Sequence, residues 1–588
     1  MERPVDNRLA LAASEYLRLH ADNTVDWREW GEEAFAEARE RGVPVFASVG
    51  YATCHWCQVM ARESFADPEI GQRLREGFVA VKVDREERPD VDAALMSAAS
   101  AFTRNLGWPL SVFLTPDGLP FFAGTYFPPT SRQGLPGFGE LLTAIGQAYR
   151  EQSDAVLATA ARVQEALRDA ARGAGGEAPS AEEARAGLAS VESVEDTWHG
   201  GVGEGQKFPQ PGLIVALAEP RTAALAPGLA ERLLDAAAGD DDVVATGGYS
   251  SLRGRDGGFF RYATQRDWTV PHFERMLVDN AQLLHAATLL GRERVATGIV
   301  GFLGDVLRLP GGAFAIAEDA ESTVDGERVE GGWHLAADPD APGVERPPLD
   351  RLVVTAANGL AIEALAIRAL RDDDERALEL ARGAAEFLLE HHATDPAALV
   401  HASLEGRPSR ASATAADAGC LASGLLALTA ATGEARWAVA ARAILAAAPD
   451  PAAPTGQGPV LERGPDSDGD APSGRSALGG ALQQLYALTG DAAHLEHAQR
   501  VLDASLAMRN PLAGAATLRV AALLAEPPRT TVLVGDPPIE HRREPGAVIA
   551  SPAQAVELAA AGFLLYEGKT EPGAYRCEAF VCELPERY

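Results

Sequence analysis

The chain has 588 residues, 84 acidic against 52 basic, and a formal charge of −32; that balance excludes a nucleic-acid surface, which needs clustered cations to release counterions from phosphate. Hydrophobic residues at 46% and charged residues at 23% describe a globular chain of two or three domains and exclude a disordered one. There is no run of 18 apolar residues and no basic-then-apolar opening at Met1-Glu2-Arg3-Pro4-Val5-Asp6, so neither a membrane span nor export is expected, and the expected location is the cytoplasm.

Five cysteines are too few for a disulfide scaffold in a chain of this length. Lys occurs only at 82, 207 and 569, so nearly every cation is Arg. Acid-rich, Lys-poor surfaces suit molar salt, where screening removes self-repulsion, which makes a halophilic source one reading and a GC-rich genome the other.

In chain order, Gly31 to Arg41 reads as an amphipathic helix stopped by Gly42, and the apolar run Val43–Val49 as a buried strand. Cys54-His55-Trp56-Cys57 follows, and helical spacing continues from Trp56 to Phe65. The two cysteines therefore sit where a strand turns into a helix, and there the free N–H groups and the macrodipole favour a thiolate. Lowering a thiol from a pKa of ~8.5 to ~7 takes roughly 2 kcal/mol, of which the dipole supplies ~0.3–1. A hydrogen bond from the Cys57 thiol, with His55 as a further contributor, has to supply the remainder. Phe78–Val83 is a second strand ending at Asp84, Pro89–Arg104 a helix, Leu110–Leu114 a third strand, and Pro120–Ala123 a fourth strand after the turn Thr115-Pro116-Asp117-Gly118. This alternation predicts an α/β domain of thioredoxin topology, a parallel sheet with an antiparallel edge.

Phe138 to Ala171 reads as helix, and Gly173 to Ser180 as linker. Ala-rich helical segments follow at 213–219, 228–238, 272–290, 293–308, 359–371, 374–392, 416–431, 434–447, 475–489 and 491–507. Successive antiparallel pairs rich in small residues predict an all-α (α/α)6 toroid. The expected division is 1–172 thioredoxin-like, 173–182 linker, 183–525 toroid, and 526–588 an extension packing on the toroid. A β-rich insertion at Gly312–Leu335 turns at Asp325-Gly326, and a strand at Thr530–Val534 and a helix at 553–566 precede Cys577 and Cys582.

Trp30-Gly31-Glu32-Glu33-Ala34-Phe35, Cys54-His55-Trp56-Cys57, Arg62-Glu63-Ser64-Phe65, Val83-Asp84-Arg85-Glu86-Glu87-Arg88-Pro89-Asp90 and Gly107-Trp108-Pro109-Leu110 resemble the spermatogenesis-associated protein 20-like (YyaL-type) family. Lys207-Phe208-Pro209, Val270-Pro271-His272-Phe273-Glu274, Asp279-Asn280 and Pro472-Ser473-Gly474 extend the resemblance over nearly the whole chain. It implies a thioredoxin-like domain followed by a toroid of the six-hairpin glycosidase type, and a cis proline at Pro109 facing the cysteines. Gln58 stands where members often carry His, Ala356-Ala357-Asn358-Gly359 departs from the usual Ser-Trp-Asn-Gly, and the acidic insertion is altered at Glu318 to Ser322.

Cys54 and Cys57 read as a dithiol/disulfide couple, Cys54 nucleophilic and Cys57 resolving, with a zinc site or an inert remnant as the alternatives. Trp56 and Trp108 form either an apolar lip for a bound chain or a cover for the core. In the toroid, Asp256, Arg261, Asp267, Trp268, His272, Glu274 and Asp279 combine carboxylates with aromatic platforms, as sugar chemistry requires. Helix-capping chemistry accounts for Pro271 and Glu274 without function, and a helix over 272–290 places His272 and Asp279 near one face. Asp319, Glu321 and Asp417 are further carboxylates of interest, and a structural polar lining is the plainer reading of the set. Cys420 reads as a buried apolar residue, and Cys577 and Cys582 as a disulfide, a weak metal pair or, by default, two unrelated thiols. No metal or cofactor is expected.

These residues support a thiol–disulfide redox protein whose toroid binds a protein thiol/disulfide partner or a sugar-like substrate. A carbohydrate hydrolase or epimerase with a regulatory N-terminal domain is the alternative, and a non-catalytic scaffold the third reading. No nucleic-acid or membrane partner is expected.

Overall fold

The computed structural model describes residues 8–132, 134–172, 178–245, 247–451, 458–459, 467–502 and 510–588. Part of the expected 173–182 linker and the end of the helix expected at 491–507 lie outside them.

The N-terminal domain contains, in order, α1 (Glu15–Leu19), β1 (Trp27–Glu29), α2 (Glu32–Arg41), β2 (Val45–Gly50), α3 (His55–Glu63), α4 (Pro68–Gly77), β3 (Val79–Asp84), α5 (Pro89–Ala99), β4 (Leu110–Leu114), β5 (Pro120–Gly124), α6 (Phe138–Glu151) and α7 (Ser153–Arg172). The sheet order is β1-β3-β2-β4-β5; β1, β3 and β2 run parallel, while β4 and β5 are antiparallel to their neighbours. Every residue of β2, β3 and β4 is buried, because helices cover both faces, and this is why these strands read as continuous apolar runs. The edge strand β1 is too short to leave such a run. Helix α5 ends at Ala99, short of Arg104, and the long helix expected at 138–171 is two, broken where Gln152 leaves helical backbone (φ −129°) so that α7 folds back on β5.

The toroid begins with α8 (Ala181–Ser190), capped by Ser180, then α9 (Pro211–Ala218), α10 (Leu229–Ala238) and the short α11 (Asp241–Ala245). Strands β6 (Tyr262–Ala263), β7 (Pro271–His272) and β8 (Arg275–Met276) precede α12 (Leu277–Leu289) and α13 (Glu293–Phe302). The insertion contributes β9 (Ala317–Glu318), the hairpin β10 (Glu321–Val324) and β11 (Glu327–Glu330), and α14 (Gly332–Leu335). Then come α15 (Thr355–Asp372), α16 (Glu375–His391), α17 (Ala415–Thr432), α18 (Ala435–Ala446), α19 (Gly474–Thr489), α20 (Ala492–Val501) and α21 (Ala515–Leu524). Helices α9, α12, α15, α17, α19 and α21 each pack on the next, and α21 returns to α9. That closes an inner ring of six, and α10, α13, α16, α18, α20 and α8 back it from outside. Inner α15 and α17 are buried on nearly every face, whereas outer α16 buries one stripe, Ala377, Leu380, Ala381, Ala384, Ala385 and Leu388, at helical spacing. By length and composition α17 could cross a membrane; here 72% of it is buried in the ring.

Two expectations are corrected. The helix expected over 272–290 begins at Leu277, because Pro271–His272 pair with Tyr262–Ala263 and Arg275–Met276 pair with Ala317–Glu318. His272 and Asp279 therefore share no helical face, and Pro271 and Glu274 do not cap a helix. The ring-completing helices α8 and α21 were not expected; with one charged residue in ten, α21 carries little amphipathic signal.

A four-stranded sheet from the C-terminal extension holds Arg529–Val534 at its centre. Cys577 and Cys582 stand directly opposite each other on its terminal hairpin and form a disulfide. The reading of two unrelated thiols is thereby overturned, the left-handed turn at Ala579 and Phe580 bringing the pair into register. All three lysines are buried, Lys82 at 1%, Lys207 at 0% and Lys569 at 7% exposure. The Lys82 ammonium donates to Ser48 and lies over the rings of Tyr16, Trp27 and Phe65, and burial holds its pKa well below the ordinary value.

Candidate active site

Gly50 ends β2, and Cys54 is the N-cap of α3: its Sγ accepts the Cys57 N–H at 3.2 Å. This is the one orphan amide that a cap atom satisfies, so the sulfur sits on the positive end of the helix. Cys54 and Cys57 are disulfide-bonded, and the Trp108–Pro109 bond at the start of β4 is cis. Both cysteines are buried, at 4% and 1% exposure, while Trp56 between them is 52% exposed and packs on Tyr126.

The toroid covers this site. His55 Nδ1 lies 2.7 Å from Glu321 Oε1, and Arg62 donates to both oxygens of the same carboxylate. Gln58 donates to the Ala52 carbonyl at 2.8 Å and to Asp319 at 3.0 Å. Arg328 of the β10–β11 hairpin binds Asp319 at 2.7 Å and Glu321 at 3.2 Å. Against the cost of burial, His55, Arg62 and Arg328 hold Glu321 well below the usual carboxylate range, and Glu321 in turn raises His55.

A second cluster lies beside the first, where the thioredoxin-like domain meets the N-terminal ends of the inner helices. Glu274 is fully buried and accepts from Thr53 and from the Tyr51 hydroxyl at 3.2 Å. Arg261 donates to Tyr51 at 2.5 Å, Glu274 at 3.1 Å and Asp470 at 2.7 Å. Arg85 pairs with Asp470 at 3.4 Å and stacks on Trp108, whose Nε1 donates to Asp92 at 2.8 Å. Asp279 Oδ2 is buried without a hydrogen-bond partner, and burial followed by the charge of Asp470 raises its pKa. On the flank of the ring mouth, His401 bridges the Asp417 carboxylate and the Glu86 carbonyl.

Of the sequence-predicted residues, Arg261, His272, Glu274 and Asp279 come together here, His272 Nε2 standing 3.8 Å from Glu274. Asp319 belongs instead to the cysteine site. Asp256 is engaged by Arg275 and Arg346, Asp267 turns back on exposed Thr269, and Trp268 donates to the His199 carbonyl, so these three join neither cluster. Sequence reasoning missed Tyr51, Arg85, Arg328 and Asp470, and considered Glu321 only as a carboxylate for the toroid cluster. Arg85 lies in the acid-and-arginine run after β3 and Glu321 in the altered insertion, which were the available signals. Among the described residues no group of three His, Cys, Asp or Glu could hold a metal ion.

Residues 6–168 match the family described as Thioredox_DsbH, a protein of unknown function, DUF255. The chain is 40% identical over 344 residues to spermatogenesis-associated protein 20 of Homo sapiens, and 39% identical over 327 residues to that of Rattus norvegicus. Over that stretch the chain is similar to spermatogenesis-associated protein 20. The human alignment takes in 56% of this chain and 44% of the human protein, so the chain spans less than half the length of the curated relatives it matches. Solved structures similar to part of this chain include cellobiose 2-epimerase from Spirochaeta thermophila (17% identity, 55% of this chain and 84% of that chain, TM-score 0.38). A GH76 α-mannanase from Bacteroides thetaiotaomicron is also similar (11% identity, 58% of this chain and 95% of that chain, TM-score 0.38). The ring assignment rests on the helix packing described above.

Proposed function

We propose that this chain carries out thiol–disulfide exchange at Cys54 and Cys57, with the toroid controlling what reaches them. The observation that carries the reading is the Cys57 N–H donated to Cys54 Sγ at a helix N-terminus, since that bond and the dipole both favour Cys54 as thiolate. In the reduced protein, Cys54 thiolate attacks a partner disulfide, forms a mixed disulfide and releases one partner thiolate. Cys57, deprotonated, then attacks Cys54 Sγ and releases the second partner thiolate. Two electrons pass to the partner and the Cys54–Cys57 disulfide re-forms; an external dithiol donor resets it.

Sugar chemistry at the ring mouth is less well supported. Glu274 at 0% and Asp279 at 5% exposure are buried, with Tyr51 and Thr53 seated on Glu274. The test is turnover of a fluorescent peptide disulfide with a dithiol donor. Cys54→Ser is expected to abolish turnover and Cys57→Ser to trap the mixed disulfide on Cys54. A parent protein without turnover, or a Cys54→Ser variant that keeps it, overturns the proposal.

A further inference from the structure

The ring has a second interior site, at the end away from the cysteines. Five inner helices, α12, α15, α17, α19 and α21, with residues 219–221 that follow α9, line a cavity of about 390 Å³, and residues 528–530, 542 and 544–548 of the extension form another wall of it. Its volume lies within the ~300–1,000 Å³ of small-molecule sites. Much of the wall is aliphatic, from Leu289, Ile367, Leu426, Leu488, Val520 and Leu523 on those helices, and no Phe, Tyr or Trp contributes to it. A sugar would find no stacking plane there.

Set into this wall are two arginines, Arg221 and Arg519, with no hydrogen-bond or ion-pair partner among the described residues. Arg221 Nη1 is buried and unsatisfied. Burial lowers the Arg221 pKa, Glu219 and Glu526 oppose that, and Arg529 and then Arg519 add to it. The other cations of the wall are engaged: Arg529 by Glu578, Arg542 by Asp373, and Arg371 by the Arg543 carbonyl. The carboxylates Glu219 and Glu363 offset part of the positive charge, Glu363 accepting only from Gln484. His285 is kept neutral, pushed down to about 3 by burial and by Arg519 and Arg371. An unpaired planar guanidinium is a bidentate receptor for a carboxylate or a phosphate. With two acids already facing the pair, a single negative charge fits the residual field better than a polyanion.

We propose that this cavity binds a small aliphatic monocarboxylate, the acid head held by Arg221 and Arg519 and the hydrocarbon body by the leucine-rich wall. The experiment is calorimetric titration of the full chain with octanoate, 1-octanol and inorganic phosphate. Octanoate is expected to saturate one site, with octanol at least tenfold weaker and phosphate weaker still. The double variant Arg221→Gln/Arg519→Gln is expected to lose at least tenfold in octanoate affinity. Ala487→Phe, which adds bulk at the cavity wall and keeps both arginines, is expected to abolish binding and guards against a misfolded double variant. Absence of octanoate binding, equal affinity for octanol, tighter binding of phosphate, or octanoate affinity unchanged in both variants overturns the proposal.

Discussion

His55 and Glu321 meet across the boundary between the two domains, imidazole Nδ1 to carboxylate oxygen at 2.7 Å, one residue from Cys54. Glu321 raises His55 above its ordinary 6.5, so the favourable contribution of His55 is complete below that value and fades as pH rises through the raised one. Glu321 is held below its ordinary 4.5, so its contribution is complete above 4.5 and fades as pH falls. The contact is therefore tightest between about pH 4.5 and 6.5. Glu321→Gln should drop the His55 titration midpoint in NMR spectra, and hydrogen-exchange protection of the β10–β11 hairpin should peak inside that window in the parent. A midpoint that does not move would show that another group sets it.

Access to Cys54 should depend on Arg328, which ties Asp319 and Glu321 over the cysteine helix. Charge-assisted hydrogen bonds contribute ~1.5–3 kcal/mol each, and 1.4 kcal/mol is a tenfold change in population. Arg328→Ala should speed iodoacetamide alkylation of reduced Cys54 by about tenfold at fixed pH. An unchanged rate would mean that the hairpin does not limit access.

Asp279→Asn should stabilise the protein in a pH-dependent way. The raised pKa of Asp279 means that it favours the fold fully below its ordinary 3.8 and loses that contribution as pH climbs through the raised value. Asparagine stays neutral throughout. Denaturant melts should superimpose near pH 4 and separate as pH rises, reaching roughly 2–4 kcal/mol in favour of the variant by about pH 9.

Gly359 on α15 lies so close to α17 that an added Cβ would come within 2.5 Å of the Cys420 backbone, and Gly424 returns the approach, its own Cβ 2.7 Å from the Gly359 carbonyl oxygen. Backbone cannot yield as a side-chain tip can. Gly359→Ala should cost ~1–3 kcal/mol in chemical denaturation, the usual range for overpacking, despite the better helix propensity of alanine. A neutral result would show that the ring widens at no cost.

Repulsion from a net charge of −32 should make thermal stability rise with KCl. Screening shortens from ~10 Å at 0.1 M to ~3 Å at 1 M, so most of the gain should fall between these concentrations in a calorimetric series. A flat or falling Tm would favour codon usage over salt adaptation as the source of this composition.

The cysteine site was legible because its determinants are local: an apolar strand, a four-residue motif and the helix behind it. The sheet was legible because two covering layers make its strands uniformly apolar, and the inner and outer helices other than α8 and α21 because their lengths match the pattern. The clusters were only partly legible. Tyr51 meets Glu274 across 223 positions and Gln58 meets Asp319 across 261, and no periodicity encodes such a meeting. Pro271-His272-Phe273-Glu274 was misread for a similar reason: strand pairing with Tyr262–Ala263 and Ala317–Glu318 overrides a local pattern that suits a helix start.

The burial of Lys82, Lys207 and Lys569 has a practical corollary. Each lysine is at most 7% exposed in the folded chain, so acylating labels and lysine cross-linkers should find their side-chain targets chiefly in molecules that have opened. Lysine labelling of this protein should thus rise with its unfolded fraction, and enzymes that tag lysines would act on it as sensors of damage.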